Sequence, residues 1–180
     1  MFVKTSFTLI ILFTIAYIQI THQNCSSINE KIQRSIIRGN YQNVLNQNQG
    51  NLIQSKNVIW FGGSIVGNFL RNAIYKVDGE IGFLFCSIGY SLKVDLLQKY
   101  ELNTVKIWLW NGDYRFYNIK VFIKLENTET KIYDSNQAQS IVTIKFPNQL
   151  VQSLRIYNTA GNTKDGGLQV IKVEAYDKFQ

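Results

Sequence analysis

From Asn103 to Ile123 the chain reads NTVKIWLWNGDYRFYNIKVFI, with apolar residues at every second position on both sides of a polar, glycine-containing break. A period of two belongs to β-strands, whose successive side chains point to opposite faces. Val105, Ile107 and Leu109 share one face of the first run, and Ile119, Val121 and Ile123 share one face of the second. With Asn111-Gly112-Asp113 between them, the two runs predict a hairpin of antiparallel strands with one face in a core. The other face carries Lys106, Trp108 and Trp110, then Lys120, Phe122 and Lys124. Those aromatics are either covered by a second layer of the protein or offered to a ligand.

Similar short runs recur along the chain, at Asn57–Phe61, Ala73–Val77, Gly82–Cys86, Ser91–Leu96, Thr130–Tyr133, Ile141–Phe146, Ser153–Asn158 and Leu168–Tyr176. Turn signals separate them at Asp78-Gly79, Ala160-Gly161-Asn162 and Asp165-Gly166-Gly167. No segment after residue 50 has helical periodicity, so the pattern predicts an all-β sandwich or barrel. The one proline, Pro147, follows a run and suits an edge or exit position.

A chain of 180 residues has room for one such domain, and its ends differ in character. Residues 1–23 start with a cation at Lys4 and continue as a largely apolar stretch too short for a comfortable membrane span, which predicts a secretory signal peptide, with an uncleaved anchor as the alternative. Residues 24–50 form an Asn/Gln-rich lead-in with a short helix around 28–37, and the folded domain is placed at 51–177. In a secreted chain Cys25 and Cys86 either pair as a disulfide or leave Cys86 a buried free thiol. Asn24-Cys25-Ser26 is the single N-glycosylation sequon and makes Asn24 the candidate acceptor. The net charge of +7 is dispersed over single Lys and Arg, a distribution that excludes a nucleic-acid footprint and leaves attraction to anionic surfaces.

Catalytic chemistry has few places to sit. His22, the single histidine, lies in the leader, which removes Ser-His-Asp, Cys-His and histidine-based metal sites from the mature chain. Gly62-Gly63-Ser64-Ile65-Val66-Gly67 lacks the spacing of a nucleophile elbow and of a phosphate loop. The chain is therefore expected not to be an enzyme and to need no cofactor. Asp78, Glu80 and Asp113 stand at turns and are the candidate calcium ligands, against the alternative that the aspartates hold their own turns. For ligand binding the candidates are Trp60 and Phe61 before the glycine break, and Tyr114, Arg115 and Phe116 after the turn, since aromatic faces stack on sugars and arginine bonds hydroxyl or anionic groups. The competing role for Arg115 is a stack on Trp110 inside the fold, worth about 0.5–2 kcal/mol.

Four segments in order carry a resemblance: Asn72-Ala73-Ile74-Tyr75-Lys76-Val77-Asp78-Gly79; Leu92-Lys93-Val94-Asp95-Leu96 with Tyr100-Glu101-Leu102-Asn103-Thr104-Val105; Ser153-Leu154-Arg155-Ile156-Tyr157; and Leu168 to Tyr176. Over residues 51–177 the chain resembles discoidin domains, the C-type domains of coagulation factors V and VIII. Through Trp110 to Tyr117 it looks most like the branch found as tail domains of BTB/kelch-like proteins. The resemblance implies a galactose-binding-like jelly-roll β-sandwich that holds a ligand in loops at one end, the family's ligands being sugars, phospholipid headgroups or proteins. Leu97 replaces the usual glycine after Val-Asp-Leu, no BTB domain is present, and Cys25 and Cys86 do not match the family's end-to-end disulfide. The resulting expectation is a secreted, non-catalytic module that recognises carbohydrate or glycoconjugate at a cell surface, in the manner of an adhesion domain. The alternatives are a protein-interaction or structural module of the secretory pathway or cell surface, and a binder of anionic lipid headgroups.

Overall fold

The structure, a computed structural model, describes residues 43–46, 48, 51–54, 59–62, 70 and 82–177. The chain divides into two compact units, Met1–Ile37 and Arg38–Gln180, and everything described here lies in the second. Among the described residues there is no α-helix. The strands are β1 (Leu52–Ile53), β2 (Ile59–Gly62), β3 (Phe83–Cys86), β4 (Ser91–Leu109), β5 (Tyr117–Leu125), β6 (Thr128–Ala138), β7 (Ile141–Asn162) and β8 (Leu168–Tyr176). They run antiparallel in the order β2-β3-β8-β4-β7-β5-β6, with β1 on β4.

The ladder between β4 and β7 changes neighbours along its length. Residues 91–95 of β4 pair with 153–157 of β7, and β5 lies on the far side of that part of β7. Residues 104–108 of β4 pair with 141–145 of β7, and β8 lies on the far side of that part of β4. Register shifts fall between the two parts, at Asp95/Tyr100 and Leu102/Thr104. Bulges of this kind bend strands and increase their twist. The two halves accordingly belong to two layers, one with β2, β3 and β8, the other with β1, β5 and β6. Val105, Ile107, Leu109, Val173 and Ala175 of the first layer and Val94, Leu154, Ile119, Val121 and Ile123 of the second meet in one buried cluster. The result is an all-β sandwich, one of the two forms expected from the strand pattern, with the jelly-roll arrangement that the discoidin resemblance implies.

Two expectations need correction. Residues 105–109 and 119–123 do not pair as a hairpin: β4 pairs with β7 and β8, and β5 with β6 and β7. Their apolar faces do share a core, but from opposite layers, so the connection 110–116 crosses the sandwich. A two-residue alternation reports which face is buried and carries no information on the strand's partner, which is why the pattern was right and the pairing wrong. Likewise 141–146 and 153–158 are parts of one strand, β7, with exposed Pro147 between paired Lys145 and Gln149, where the ladder shifts register and a missing N–H costs little. The expected strand at 73–77 and the lead-in helix lie outside the described residues.

Because β4 leaves and returns, its two ends lie at the same end of the sandwich. The connections 87–90, 110–116, 139–140 and 163–167 all emerge there, while the β5–β6 turn at 126–127 is at the other end. Asn158, fully buried near the end of β7, ties two of these connections together. Its Nδ2 donates to the carbonyls of Cys86 (2.8 Å) and Gly166 (3.0 Å), and its Oδ1 accepts from the Gly161 amide (2.7 Å). The backbone of Asn158 also bonds Gly89 and Tyr90. Replacing Asn158 by Ala strands two carbonyls and an amide away from water; the expected loss is about 1–3 kcal/mol, read as a lower urea midpoint at unchanged slope.

Candidate functional site

The connection 110–116 contains the turn foreseen at Asn111-Gly112-Asp113, closed by a bond from the Tyr114 amide to the Asn111 carbonyl at 3.4 Å. Gly112 is required because a Cβ there would lie 2.6 Å from Trp110 Cζ2. Next to the turn, Arg115 is only 7% exposed. Its Nε and Nη2 donate to the two carboxylate oxygens of Asp113 at 2.7 and 2.6 Å, and Nη1 donates to Asp165 Oδ2 at 2.9 Å. The guanidinium lies over the Trp110 ring, 4.6 Å from its centroid. A planar fork meeting a carboxylate through two parallel bonds is the strong form of this interaction, and the indole face adds to it in a desolvated place.

Asp165 brings in the β7–β8 connection. Its Oδ1 accepts from the Gly167 amide (2.6 Å) and from Asn162 Nδ2 (2.8 Å), and Asn162 Oδ1 in turn accepts the amides of Lys164 and Asp165. Gly161, at φ 77°, has the Asp165 carbonyl oxygen 2.7 Å from where a Cβ would stand, so the loop folds tightly only on glycine there. Thr163 closes the seam: its amide donates to the Phe116 carbonyl, and its hydroxyl accepts from the Phe116 amide. Beneath, the Tyr117 hydroxyl donates to the Trp110 carbonyl at 2.6 Å, and burial pushes this phenol well above its ordinary pKa. Gln139 Nε2 reaches Asn111 Oδ1 at 3.2 Å and joins the β6–β7 connection to the group.

On this base stands Tyr114, 80% exposed, with its backbone in the left-handed region at φ 59°. That conformation costs a non-glycine residue on the order of 1–2 kcal/mol. Phe116, two residues on, is also exposed, as are Ile88 and Tyr90 in the β3–β4 connection. The end of the sandwich is thus an aromatic surface on a hydrogen-bonded, charge-clamped floor.

The structure separates the residues singled out from the sequence. Tyr114 and Phe116 are brought together at the surface, whereas Arg115 is committed to Asp113, Asp165 and Trp110 and acts as a support, the internal role weighed against ligand binding. Asp113 places both oxygens on Arg115 and so is part of the clamp rather than a simple turn-holding residue. Trp60 and Phe61 lie on β2, in register with Phe85 and Leu84 of β3, and their side chains are outside the described residues, as are Asp78, Glu80, Asn24 and Cys25. Cys86 is a fully buried free thiol, pushed up to about 11 by desolvation. Trp108 is buried and Trp110 half-buried, so the outer aromatics of the first run are packing groups. Sequence reasoning missed Asp165, Asn162 and Asn158; the spacing Asn162-Thr163-Lys164-Asp165-Gly166-Gly167 was legible as a turn, but its bond to Arg115 spans 50 positions.

No family model matches the chain, and no curated protein does. Solved structures to which it is similar include the CBM32 of AlyQ in complex with 4,5-unsaturated mannuronic acid, at 20% identity, TM-score 0.48, covering 57% of this chain and 83% of that one. Another is the family 32 CBM from C. perfringens NanJ in complex with galactose, at 10% identity and TM-score 0.49, covering 71% and 99%. A third is CpGH89CBM32-5 from Clostridium perfringens in complex with GalNAc-beta-1,3-galactose, at 13% identity and TM-score 0.46, covering 69% and 99%. A likeness of this degree assigns no residue of this chain a role.

The Asp113–Arg115 pair gives a pH signature. The Arg115 hydrogen bonds hold the Asp113 carboxyl below its ordinary value near 4, so the native state binds this proton less readily than the unfolded chain. Its contribution is present above about pH 4 and is lost as pH falls through the lower native value. Asp113→Asn is expected to lower stability at pH 7 and to flatten the loss of stability below pH ~4, measured by urea unfolding across pH.

Proposed function

We propose that this chain is a secreted, non-catalytic binding module that recognises carbohydrate or glycoconjugate through the loops at one end of its sandwich. The observation that carries the proposal is Tyr114: a large aromatic side chain held 80% exposed on a left-handed backbone, directly beside a buried Arg115 clamp. Strain at an exposed bulky residue is retained where its side chain has a use, and a glycine would relieve it. An aromatic ring on a rigid loop stacks on the C–H face of a sugar without paying much ordering entropy. Polar groups at its margin, the partly exposed Asp113 and Asp165 carboxylates, offer acceptors for hydroxyls.

The non-catalytic part of the proposal follows from the chemistry of this end. Both carboxylates are tied to Arg115, neither is set up as an acid or base, and the single histidine is His22. Secretion is proposed from the leader at residues 1–23, with a glycan-bearing surface as the partner.

A glycan array probed with the mature protein, with and without calcium, tests this directly; no binding to any sugar in either condition would discard it. Tyr114→Gly is the diagnostic variant. It is expected to lower affinity for the best sugar about tenfold or more while leaving stability unchanged or raising it by up to ~1 kcal/mol, since the left-handed strain is relieved. Unaltered sugar affinity in a folded Tyr114→Gly protein would place recognition elsewhere.

A further inference from the structure

A second surface lies on the solvent side of the layer built from β4, β7, β5 and β6. Register places its side chains in rows across the strands. One row runs Lys93, Arg155, Phe122, Lys131, and the next runs Ser91, Tyr157, Lys120, Asp134. A third runs Asp95, Ser153, Lys124, Glu129. Adjacent strands are about 4.8 Å apart, so each row is a line of side chains about 14 Å long on one face.

The centre of this face is rigid. The Arg155 guanidinium lies 4.0 Å from the Phe122 ring centroid and 5.7 Å from that of Tyr157. Glu129 grips it through Nε (2.7 Å) and Nη2 (2.5 Å), and Nη1 donates to Ser91 Oγ at 3.3 Å. Around Phe122 stand Lys120 and Lys124 on its own strand and Arg155 and Lys131 across from it. Acids are outnumbered. Asp134 is shared by Lys131 (2.7 Å) and Lys120 (3.8 Å), and Glu129, already holding Arg155, also feels the charges of Lys124 and Lys93. Lys93, Lys120, Lys124, Lys131 and Arg155 face Asp95, Asp134 and Glu129, an excess of positive charge on a flat, ordered sheet.

We infer that this sheet face binds a linear anionic polysaccharide, a chain bearing sulfate or carboxylate groups, at a site separate from the Tyr114 end. Three cations of one row, Lys93, Arg155 and Lys131, with Lys120 and Lys124 to either side of Phe122, match a partner that repeats its charge along an extended line. Arg155 covers the Phe122 ring at the centre of the face, so this ring is not free for a nucleobase to stack on. The exposed large apolar side chains near this face, Leu97 on β4 and Leu52 on β1, both stand at its margin beside Asp95, two or more strands away from Phe122. Binding is electrostatic in origin and therefore weakens with salt, because exposed charges are screened within a Debye length.

The test is heparin affinity of the full chain, followed by calorimetry with defined sulfated and uronate oligosaccharides. The wild-type protein is expected to bind heparin in a salt-dependent way. A variant with Lys120→Ala, Lys124→Ala and Lys131→Ala is expected to lose about tenfold or more in affinity, while Tyr114→Gly retains it. A control variant with Lys99→Ala, Lys145→Ala and Lys164→Ala removes the same charge from elsewhere. Equal loss in the control means net charge alone and overturns the inference, as does unchanged binding in the first variant with its circular dichroism intact. Binding to phosphatidylserine vesicles without binding to heparin overturns it in favour of a membrane. Since the first variant leaves the loop end untouched, it keeps its array profile, so failure here is distinguishable from failure of the proposed sugar site.

Discussion

One ladder holds the molecule together. β4 and β7 run side by side through both layers, and each recruits a different neighbour in each half: β8 beside the second half of β4, β5 beside the second half of β7. Removing β4 would part β8 from β7 in one layer, and removing β7 would part β4 from β5 in the other. The register shifts near Tyr100 and Thr104 let a single pair of strands serve two sheets, since a bulge adds the bend that a regular pleat resists. The same bend returns β4 to its starting end, and this gathers four loops into one surface. Position of the candidate site is thus a consequence of a strand irregularity many residues away.

That surface is kept in place by charge. Arg115 is nearly removed from solvent, a costly state unless its donors are met, and two carboxylates from different loops meet them. The indole of Trp110 covers the guanidinium, and the Tyr117 hydroxyl ties the Trp110 carbonyl to the floor below. Removing one member would leave buried charge behind, which is why such a group specifies a single loop arrangement more than it adds net stability. Tyr114 inherits its orientation from this arrangement. Elsewhere the structure uses a related device: Lys172, with no exposed surface, pairs with Glu174 at 2.6 Å and lies 5.0 Å from the Trp108 ring centroid. There the ion pair lets an all-buried strand, β8, carry charge between two packed faces.

Much of this was legible in residue order, and the misses are instructive. Alternation in 105–109 and 119–123 identified the core face residue by residue, and Leu168–Tyr176 was read with its true ends. Asn111-Gly112-Asp113 is a turn in sequence and in structure, and the Trp110–Arg115 stack is the internal alternative that the sequence offers for this arginine. The hairpin was the error, because a turn signal says that the chain changes direction without saying whether the next strand joins the same sheet. Arg115 was equally ambiguous: the residue type suits a ligand and a clamp alike, and only burial beside Asp165 decides between them.

Local chemistry therefore determined, from the sequence alone, that the described part of this domain is built of strands, which of their faces are apolar, and where several of its turns lie. These are properties of short windows, governed by a two-residue period and by the conformational needs of glycine, asparagine and aspartate. Tertiary structure alone decided which strands pair, that Tyr114 stands exposed while its neighbour is buried, and that five cations share one sheet face. Those facts depend on contacts between residues tens of positions apart, whose closing the chain's local pattern permits but does not specify.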